Sequence, residues 1–438
     1  MADSQNMFAT SVPATGAARF ADYDACYLSN GRDKTYQVSN WDNNLEQAKA
    51  NNAYQIGRVI SNIQIVEERK TTNADGSERL EVDVRFDTQF KDGTKSVAAV
   101  ETLVAGSTSG VCATPQTGTA MRFFGNQQKF ATDLVARNRV DVYRKLADGS
   151  TPVAPASQFR MRREVSFGVT DPNKLATYAV VSWGSKSMKL LSPRILREAP
   201  EMSEVRGSGT FSDTNAFRQC RTSANNTEAN AAIADCVKLG STGDAWGSAG
   251  GYDKTDAASM AAIDTAYAQT GLTKGTEVTY AFYNDDGWKT VNGQQGKTPI
   301  AIYKRKLRND SYPAAQIAVD MYPMIKTISP LEPSLAASFK STGGTAIANL
   351  QAAKAPAGGL PMVLNSVTSF RQGPKIESTS GNYNIRGSKS AAFEPGATTV
   401  TMPFDGVPTG AKSTTYGEFT ITYIDRNSRE MVYSLQFN

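Results

Sequence analysis

Apolar and polar residues alternate along much of this chain. Leu80, Val82, Val84 and Phe86 are interleaved with Glu81, Asp83 and Arg85. That period of two places the apolar set on one face of a strand and the charged set on the other. Ile60 to Glu67, Val97 to Val104 and Arg122 to Gln127 read as further strands, with turns at Asn73-Ala74-Asp75-Gly76 and Lys91-Asp92-Gly93-Thr94. Ahead of them, Phe20, Tyr23, Cys26 and Tyr27 fall at helical spacing, and a second helix is expected over roughly Asn44 to Tyr54. Residues 1–16 are small and polar and read as a flexible leader. Residues 17–136 thus form an expected α+β domain, with its carboxylates Glu81, Asp83 and Asp87 turned to solvent.

From Arg137 the pattern becomes β alone. Val140 to Arg144 is a strand, and Glu164 to Thr170 pairs with Leu175 to Trp183 in an expected hairpin around Asp171-Pro172-Asn173-Lys174. Two similar arrangements follow. Val278 to Tyr283 turns at Asn284-Asp285-Asp286-Gly287 toward Thr298 to Tyr303, and Phe419 to Tyr423 turns at Asp425-Arg426-Asn427-Ser428 toward Met431 to Phe437. The sequence predicts a β-sandwich over 137–330 and a second over 331–438, with Ile325 to Pro333 as a linker or sandwich edge. A helical insertion over 203–271 interrupts the first sandwich, with helices at Asn215 to Arg221, Glu228 to Leu239 and Asp256 to Gln269. In the last, Asp256 is the candidate N-cap, Met260, Ile263 and Tyr267 form a stripe, and Gly271 ends it. The fold class is mainly β and multidomain.

The run Thr102 to Gln128, ending in Phe123-Phe124-Gly125-Asn126-Gln127, resembles the late strand of NTF2-like cone folds. That resemblance implies a cavity under the first sheet. The paired hairpins resemble immunoglobulin-like or fibronectin-III-like sandwiches. The block Ala176-Thr177-Tyr178-Ala179-Val180-Val181 with Lys189-Leu190-Leu191-Ser192-Pro193-Arg194 resembles secreted or lipid-anchored bacterial surface proteins, a resemblance that implies no activity.

Composition narrows the chemistry. Among 438 residues there is no histidine. This removes imidazole general bases, Ser-His-Asp triads and Cys-His dyads. Zinc, copper and non-haem iron sites normally use imidazole or several thiolates, and only four cysteines are present, so no metal or cofactor is expected. Those cysteines, Cys26, Cys112, Cys220 and Cys236, suit two disulfides, Cys26–Cys112 and Cys220–Cys236, and hence an oxidising compartment: secreted, periplasmic or at the bacterial cell surface. The net charge of +5 is small for the length. Two basic runs, Arg160/Arg162/Arg163 and Lys304/Arg305/Lys306/Arg308, fit strand faces and edges better than a nucleic-acid groove. No apolar run of about 18 residues is present, so no transmembrane helix is expected.

Without imidazole, carboxylate pairs become the first acid–base candidates. Asp285-Asp286 lies in a turn sequence. Asp22/Asp24 and Asp83/Asp87 are the pairs able to face a cavity in the first domain. Ser185 lies four residues before Lys189, a formal Ser/Lys dyad in what reads as a hairpin. Asp253, Asp256, Asp285 and Asp286 follow no calcium-loop spacing, and the Gly-rich 240–251 is no phosphate loop. The candidate binding residues are the tryptophans Trp41, Trp183, Trp246 and Trp288, all placed in or near loops. The expected function is non-catalytic: binding, adhesion or fibre assembly through β-domains, with a protein or polysaccharide surface partner or self-association. The other classes are a carboxylate-dependent hydrolase or isomerase in the N-terminal cavity, and a viral tail or decoration protein.

Overall fold

Short helices followed by a meander of long strands build the first of two compact units, Met1–Ala131; Thr132–Phe393 and Ala397–Asn438 build the second. The computed structural model describes residues 2–72, 78–91, 95–105, 121–153, 159–192, 211–212, 217–219, 221–222, 237–238, 257–287, 297–374, 384–393, 396–425 and 428–438.

In the first unit, helices α1 (Ala2–Asn6) and α2 (Gly16–Arg19) precede, and α3 (Lys34–Asn43) and α4 (Leu45–Asn52) follow, a ribbon of β1 (Leu28–Ser29) and β2 (Arg32–Asp33). Strands β3 (Val59–Thr72), β4 (Glu78–Gln89), β5 (Lys95–Ala105) and β6 (Met121–Phe123) then form an antiparallel sheet in that order. The expected leader is instead part of this fold. Phe8 is fully buried and its ring takes the guanidiniums of Arg19 and Arg58, at 5.2 and 4.5 Å. Arg58 also donates to the Ser4 carbonyl at 2.6 Å. The helix expected around Phe20 to Tyr27 is reduced to the short α2 just ahead of it, and α3 arises where no apolar stripe announced it. Asp33 caps α3, its carboxylate accepting from the Tyr36 N–H at 2.7 Å.

In the second unit the strands are β7 (Ala131–Arg144), β8 (Phe159–Thr170), β9 (Tyr178–Trp183), β10 (Lys186–Leu191), β11 (Phe211–Ser212), β12 (Arg218–Gln219), β13 (Arg221–Thr222), β14 (Val237–Lys238), β15 (Glu277–Tyr283) and β16 (Ala301–Lys306). They continue as β17 (Ile325–Ser329), β18 (Gly343–Leu350), β19 (Met362–Pro374), β20 (Asn384–Ser390), β21 (Thr399–Asp405), β22 (Tyr416–Asp425) and β23 (Arg429–Phe437). Helix α5 is Ala257–Gln269 and α6 is Glu332–Phe339. A seven-stranded sheet has the order β11-β20-β19-β22-β23-β7-β8, a five-stranded sheet β12-β10-β9-β15-β16, and a three-stranded sheet β17-β18-β21.

Three expectations change here. Strands from 137–330 and 331–438 share one sheet, because β7 pairs in parallel with β23 from Ala136↔Arg429 to Arg144↔Phe437. The boundary expected at 330/331 therefore falls inside one compact unit. Second, β8 and β9 are not a hairpin: they belong to different sheets, and β9 pairs with β10 through the Gly184-Ser185 turn. Third, within 203–271 the described pieces at 218–219, 221–222 and 237–238 are short strands, and only α5 is helical. Residues 211–212 form the short strand β11, and Asp256 lies outside the described residues. Ile325–Ser329 is the edge strand β17.

One core organises the second unit. The inner face of the seven-stranded sheet presents Val140 and Val142, Phe419 and Ile421, and Met431, Tyr433, Leu435 and Phe437. Leu335, Ala336 and Phe339 of α6 and the three-stranded sheet supply the other half. Phe339 is the hub, with ring centroids 4.7, 5.3 and 5.5 Å from Phe404, Phe419 and Phe437. Gly417 leaves room for it: a Cβ there would meet that ring at 2.7 Å. No helix among the described residues is long and apolar enough to cross a membrane. Replacing Phe339 with alanine empties the centre of this core and should cost about 3–5 kcal/mol. Urea unfolding should show a lower midpoint at an unchanged m-value; an unchanged midpoint would contradict this packing.

Candidate functional site: a groove on the polar face of the seven-stranded sheet

The outer face of the seven-stranded sheet is assembled by register. Partners across a ladder point to the same side. One rung therefore carries Ser388, Phe370, Glu418 and Gln436, from β20, β19, β22 and β23. The next carries Thr368, Thr420, Ser434 and Asp141, reaching β7. A third carries Gln372 opposite Tyr416. All of these except Gln436, Ser434 and Asp141 line an open groove of about 560 Å³, together with Arg139 and Ser369.

Charges form the floor. Asp141 is fully buried and receives Arg139 Nε on Oδ1 and Arg162 on Oδ2, both at 2.5 Å, with Gln436 Nε2 at 3.0 Å. Arg139 reaches on to Glu418 Oε1 at 2.7 Å. Ser434 at 2.5 Å and Thr420 at 2.9 Å donate to the same oxygen, and the Tyr416 hydroxyl donates to Oε2 at 2.9 Å. Arg162 lies 3.7 Å from Glu164, and Arg137 bonds Glu430. Burial alone would raise the Asp141 carboxyl, but Arg139 and Arg162 outweigh it and hold the group below the usual carboxylate range. Glu164 is lowered likewise, burial being outweighed by Arg162, Arg139 and Arg137. Glu430 goes the other way, because burial outweighs Arg137. Burial also raises the Tyr416 hydroxyl, and Glu418 adds to it.

This arrangement suits binding better than proton transfer. Glu418 accepts four hydrogen bonds and Arg139 serves two carboxylates, so neither is poised to move a proton. What remains at the groove wall is the chemistry of Thr368, Gln372 and Ser388 with the rings of Phe370 and Tyr416, which meet edge-on at 5.9 Å.

The residues expected from sequence lie elsewhere. Trp41 is in α3, not a loop. It is buried, edge-on to Phe20 at 6.0 Å with Arg19 over its ring. Trp183 is buried at the end of β9, stacked on Phe167 at 5.2 Å, and its indole N–H donates to the Thr270 carbonyl at 2.9 Å. Both are packing residues. Trp246 and Trp288 lie outside the described residues, as do Cys112, Cys220, Cys236, Asp253, Asp256, the Gly-rich 240–251 and the turns at 73–77 and 92–94. Cys26 is not a free thiol.

Glu81, Asp83 and Asp87 of β4, expected to face solvent, do not. Glu81 and Asp87 are buried. Arg69 grips Glu81 at 2.8 Å and Asp83 at 2.7 Å, while Asp87 accepts from Asn62 at 2.7 Å. Burial raises the Asp83 carboxyl, but hydrogen bonds from Arg69 and Thr102 outweigh it and lower the group. Asp24 is buried and accepts from the Cys26 N–H at 2.8 Å. Glu101 is raised by burial, with Arg19 pulling against that.

Asp285 Oδ1 accepts from the Gly287 N–H at 2.7 Å, so Asp285-Asp286 is a turn. Ser185 is exposed at its turn. Lys189 is buried in β10, four strand residues or about 13 Å along, too far for a dyad. Among the described residues no group of three or more Cys, Asp or Glu side chains is placed to hold a metal ion. The basic runs sit on edge strands: β8 ends the seven-stranded sheet and β16 the five-stranded one. Arg163 of β8 is consumed by Asp264, at 2.8 Å, and by the Ser311 carbonyl, at 2.6 Å.

Comparison with protein-family models, with curated proteins and with solved structures finds no match for this chain. The groove residues Arg139, Phe370, Tyr416 and Glu418 were not singled out from sequence. Their signal is an alternation such as Tyr416-Gly-Glu418-Phe-Thr420-Ile-Thr422, whose polar set reads as a plain solvent face until the register joins it to β7.

Asp141 carries a pH prediction. Its folded pKa and that of Glu164 are depressed, so their stabilisation is present above the unfolded values, about 4, and is lost as pH falls through the folded values. Glu430 is raised, so its contribution is largest at low pH and is lost as pH rises from its unfolded value through its folded one. Stability should therefore fall steeply only below about pH 4. Asp141→Asn strands two guanidiniums and should cost about 3–5 kcal/mol near neutral pH, flattening that acid limb. Urea midpoints measured against pH check both; an acid limb as steep in the variant as in the parent would contradict the assignment.

Proposed function

We propose that this chain is a non-catalytic binding protein of the bacterial cell surface, periplasm or exterior, and that the groove over β19 and β22 receives its partner. The observation that carries this is the mutual saturation of Arg139, Asp141 and Glu418. Among the described lining residues of the groove the charges, Arg139 and Glu418, neutralise one another, and shape, hydroxyls and rings stand beside them. Its aromatic pair, Phe370 and Tyr416, sits on a rigid sheet, which favours recognition with little ordering cost.

The first unit, with short helices ahead of a four-stranded antiparallel sheet, is in keeping with an NTF2-like cone. The seven-stranded sheet covered on its inner face by α6 and the three-stranded sheet is in keeping with an immunoglobulin-like sandwich enlarged by β7 and β8. Carboxylate chemistry in the first unit has less support, because Glu81 and Asp83 are held by Arg69. An oxidising compartment accords with a Cys26 that is not a free thiol. On this reading Cys26 pairs with Cys112, and Cys220 with Cys236. Alkylation of the unfolded, unreduced protein followed by peptide mass mapping should label none of the four cysteines; four labelled thiols would remove the oxidising assignment.

The binding test uses insoluble bacterial envelope polymer. Wild-type protein should be retained and released intact, with no soluble product formed. Ser388→Trp at the exposed groove rim should weaken retention about tenfold or more, at an unchanged urea midpoint. Equal retention of both proteins, or steady release of polymer fragments, would sink the proposal.

A further inference from the structure

We infer that copies of this chain associate edge to edge, with β3 of one copy laid parallel to β16 of another. The groove takes no part, since neither strand lines it.

Both strands end their sheets, β3 in the first unit and β16 in the five-stranded sheet. An end strand turns a row of backbone N–H and C=O groups away from its sheet, and such groups pair with a strand that fits beside them. Each of these ends also exposes apolar side chains. On β3 every residue from Asn62 to Glu68 is exposed, Ile63 at 52% and Ile65 at 62%. On β16 Ile302 is 54% exposed, with the exposed Ile300 just ahead of it. Branched aliphatic side chains held at an edge in water gain from being covered. The exposed run of β3 starts beyond a cap: the Ile60 N–H donates to the Gln5 side-chain oxygen at 2.9 Å.

Charge names the occupant. The apolar run of β3 leads into Glu67 and Glu68, and that of β16 leads into Lys304 and Lys306, all four exposed. Two β16 edges together would gather lysines. Two β3 edges together would have to draw on Arg69, which already holds Glu81 and Asp83 at 2.8 and 2.7 Å. The charges that disfavour pairing of like edges attract across β3 and β16. Lys304 also holds Glu277 at 2.8 Å, an exposed surface pair that exchanges partners at little cost. Both strands run from apolar to charged in chain direction. Parallel alignment therefore sets isoleucine beside isoleucine and glutamate beside lysine, whereas antiparallel alignment sets the glutamates beside isoleucines.

The spacing agrees. The bulge at Val66 brings Ile65 and Glu68 to one side of β3, opposite Val84 and Val82, a single two-residue step of about 6.6 Å. Ile302 and Lys304 make the same step on β16, opposite Ala281 and Thr279. Ile65 thus meets Ile302, and Glu68 meets Lys304. The next pair, Lys70 and Lys306, is tempered by carboxylates of their own sheets: Lys70 lies 3.5 Å from Glu78, and Lys306 is opposite Glu277. The contact joins two different surfaces, so each copy offers both halves, and association closes into a ring or continues.

The test is light scattering of the full chain from about 1 to about 100 µM. Wild-type mass should rise with concentration, and less so at about 0.5 M salt, which screens the glutamate–lysine attraction. Glu67→Lys with Glu68→Lys should weaken association about tenfold or more, and so should Lys304→Glu with Lys306→Glu, each at an unchanged urea midpoint. An equimolar mixture of the two double variants, or one chain carrying all four substitutions, should associate again, because opposite charges then face each other. Ile302→Lys, which leaves the glutamates and both lysines in place, should weaken association as well. A monomer at every concentration overturns the inference. So does a lysine double variant that associates like wild type, which would indicate β3 pairing with itself, or a mixture that stays monomeric.

Discussion

Asp141 lies without exposure between the guanidiniums of Arg139 and Arg162, and the second unit is arranged around meeting that demand. A buried carboxylate without cations would cost several kcal/mol, as would either guanidinium left alone. The bonds that avoid these costs draw on four strands: Arg139 and Asp141 from β7, Arg162 from β8, Glu418 from β22, and Ser434 and Gln436 from β23. Two of these strands, β7 and β8, lie within residues 131–170 and two lie near the end of the sequence. The parallel pairing of β7 with β23 brings them together, and the charge network fixes their register: sliding one strand by a residue would turn its charges into the apolar core.

The inner face gives the same sheet its apolar burial, and the outer face carries its charge network. Phe339 and its three ring partners supply apolar burial that tolerates no unpaired charge nearby. The polar side needs complete satisfaction instead, and Arg163 extends the principle beyond the groove by fastening β8 to α5 through Asp264 and to the chain at Ser311. Asn138 does the same with both ends of its amide, donating to the Tyr312 carbonyl and accepting from the Tyr312 N–H, each at 2.8 Å.

Much of the strand content was legible because alternation is local. The pairs β15–β16 and β22–β23 and the meander of the first unit follow from it. Sheet membership did not, because periodicity says nothing about which strand lies alongside. Asp171-Pro172-Asn173 reads as a hairpin turn, yet β8 and β9 leave it for different sheets. Alternation also assigns a face without naming what covers it, so Glu81 and Asp87 read as exposed when they are buried. Residues 1–16 misled for a related reason: polar and small on average, they carry one Phe8 that two arginines and a core can use. The tryptophans were located by neighbouring turn residues, and a ring beside a turn can still point inward, as Trp183 does on Phe167.

A chain without histidine must do its polar work with groups that keep one charge state through the neutral range. Arginine–carboxylate networks meet that condition. Depressed Asp141 and Glu164 stay ionised well below neutrality, and the guanidiniums never titrate there. The buried floor formed by Arg139, Asp141, Arg162 and Glu164 therefore keeps its charges through the neutral range. Binding by shape, hydroxyls and rings gains from that constancy, whereas acid–base catalysis would require a group near its own pKa. The missing imidazole that removes histidine-dependent mechanisms thus leaves the polar face of this sheet to arginine and carboxylate.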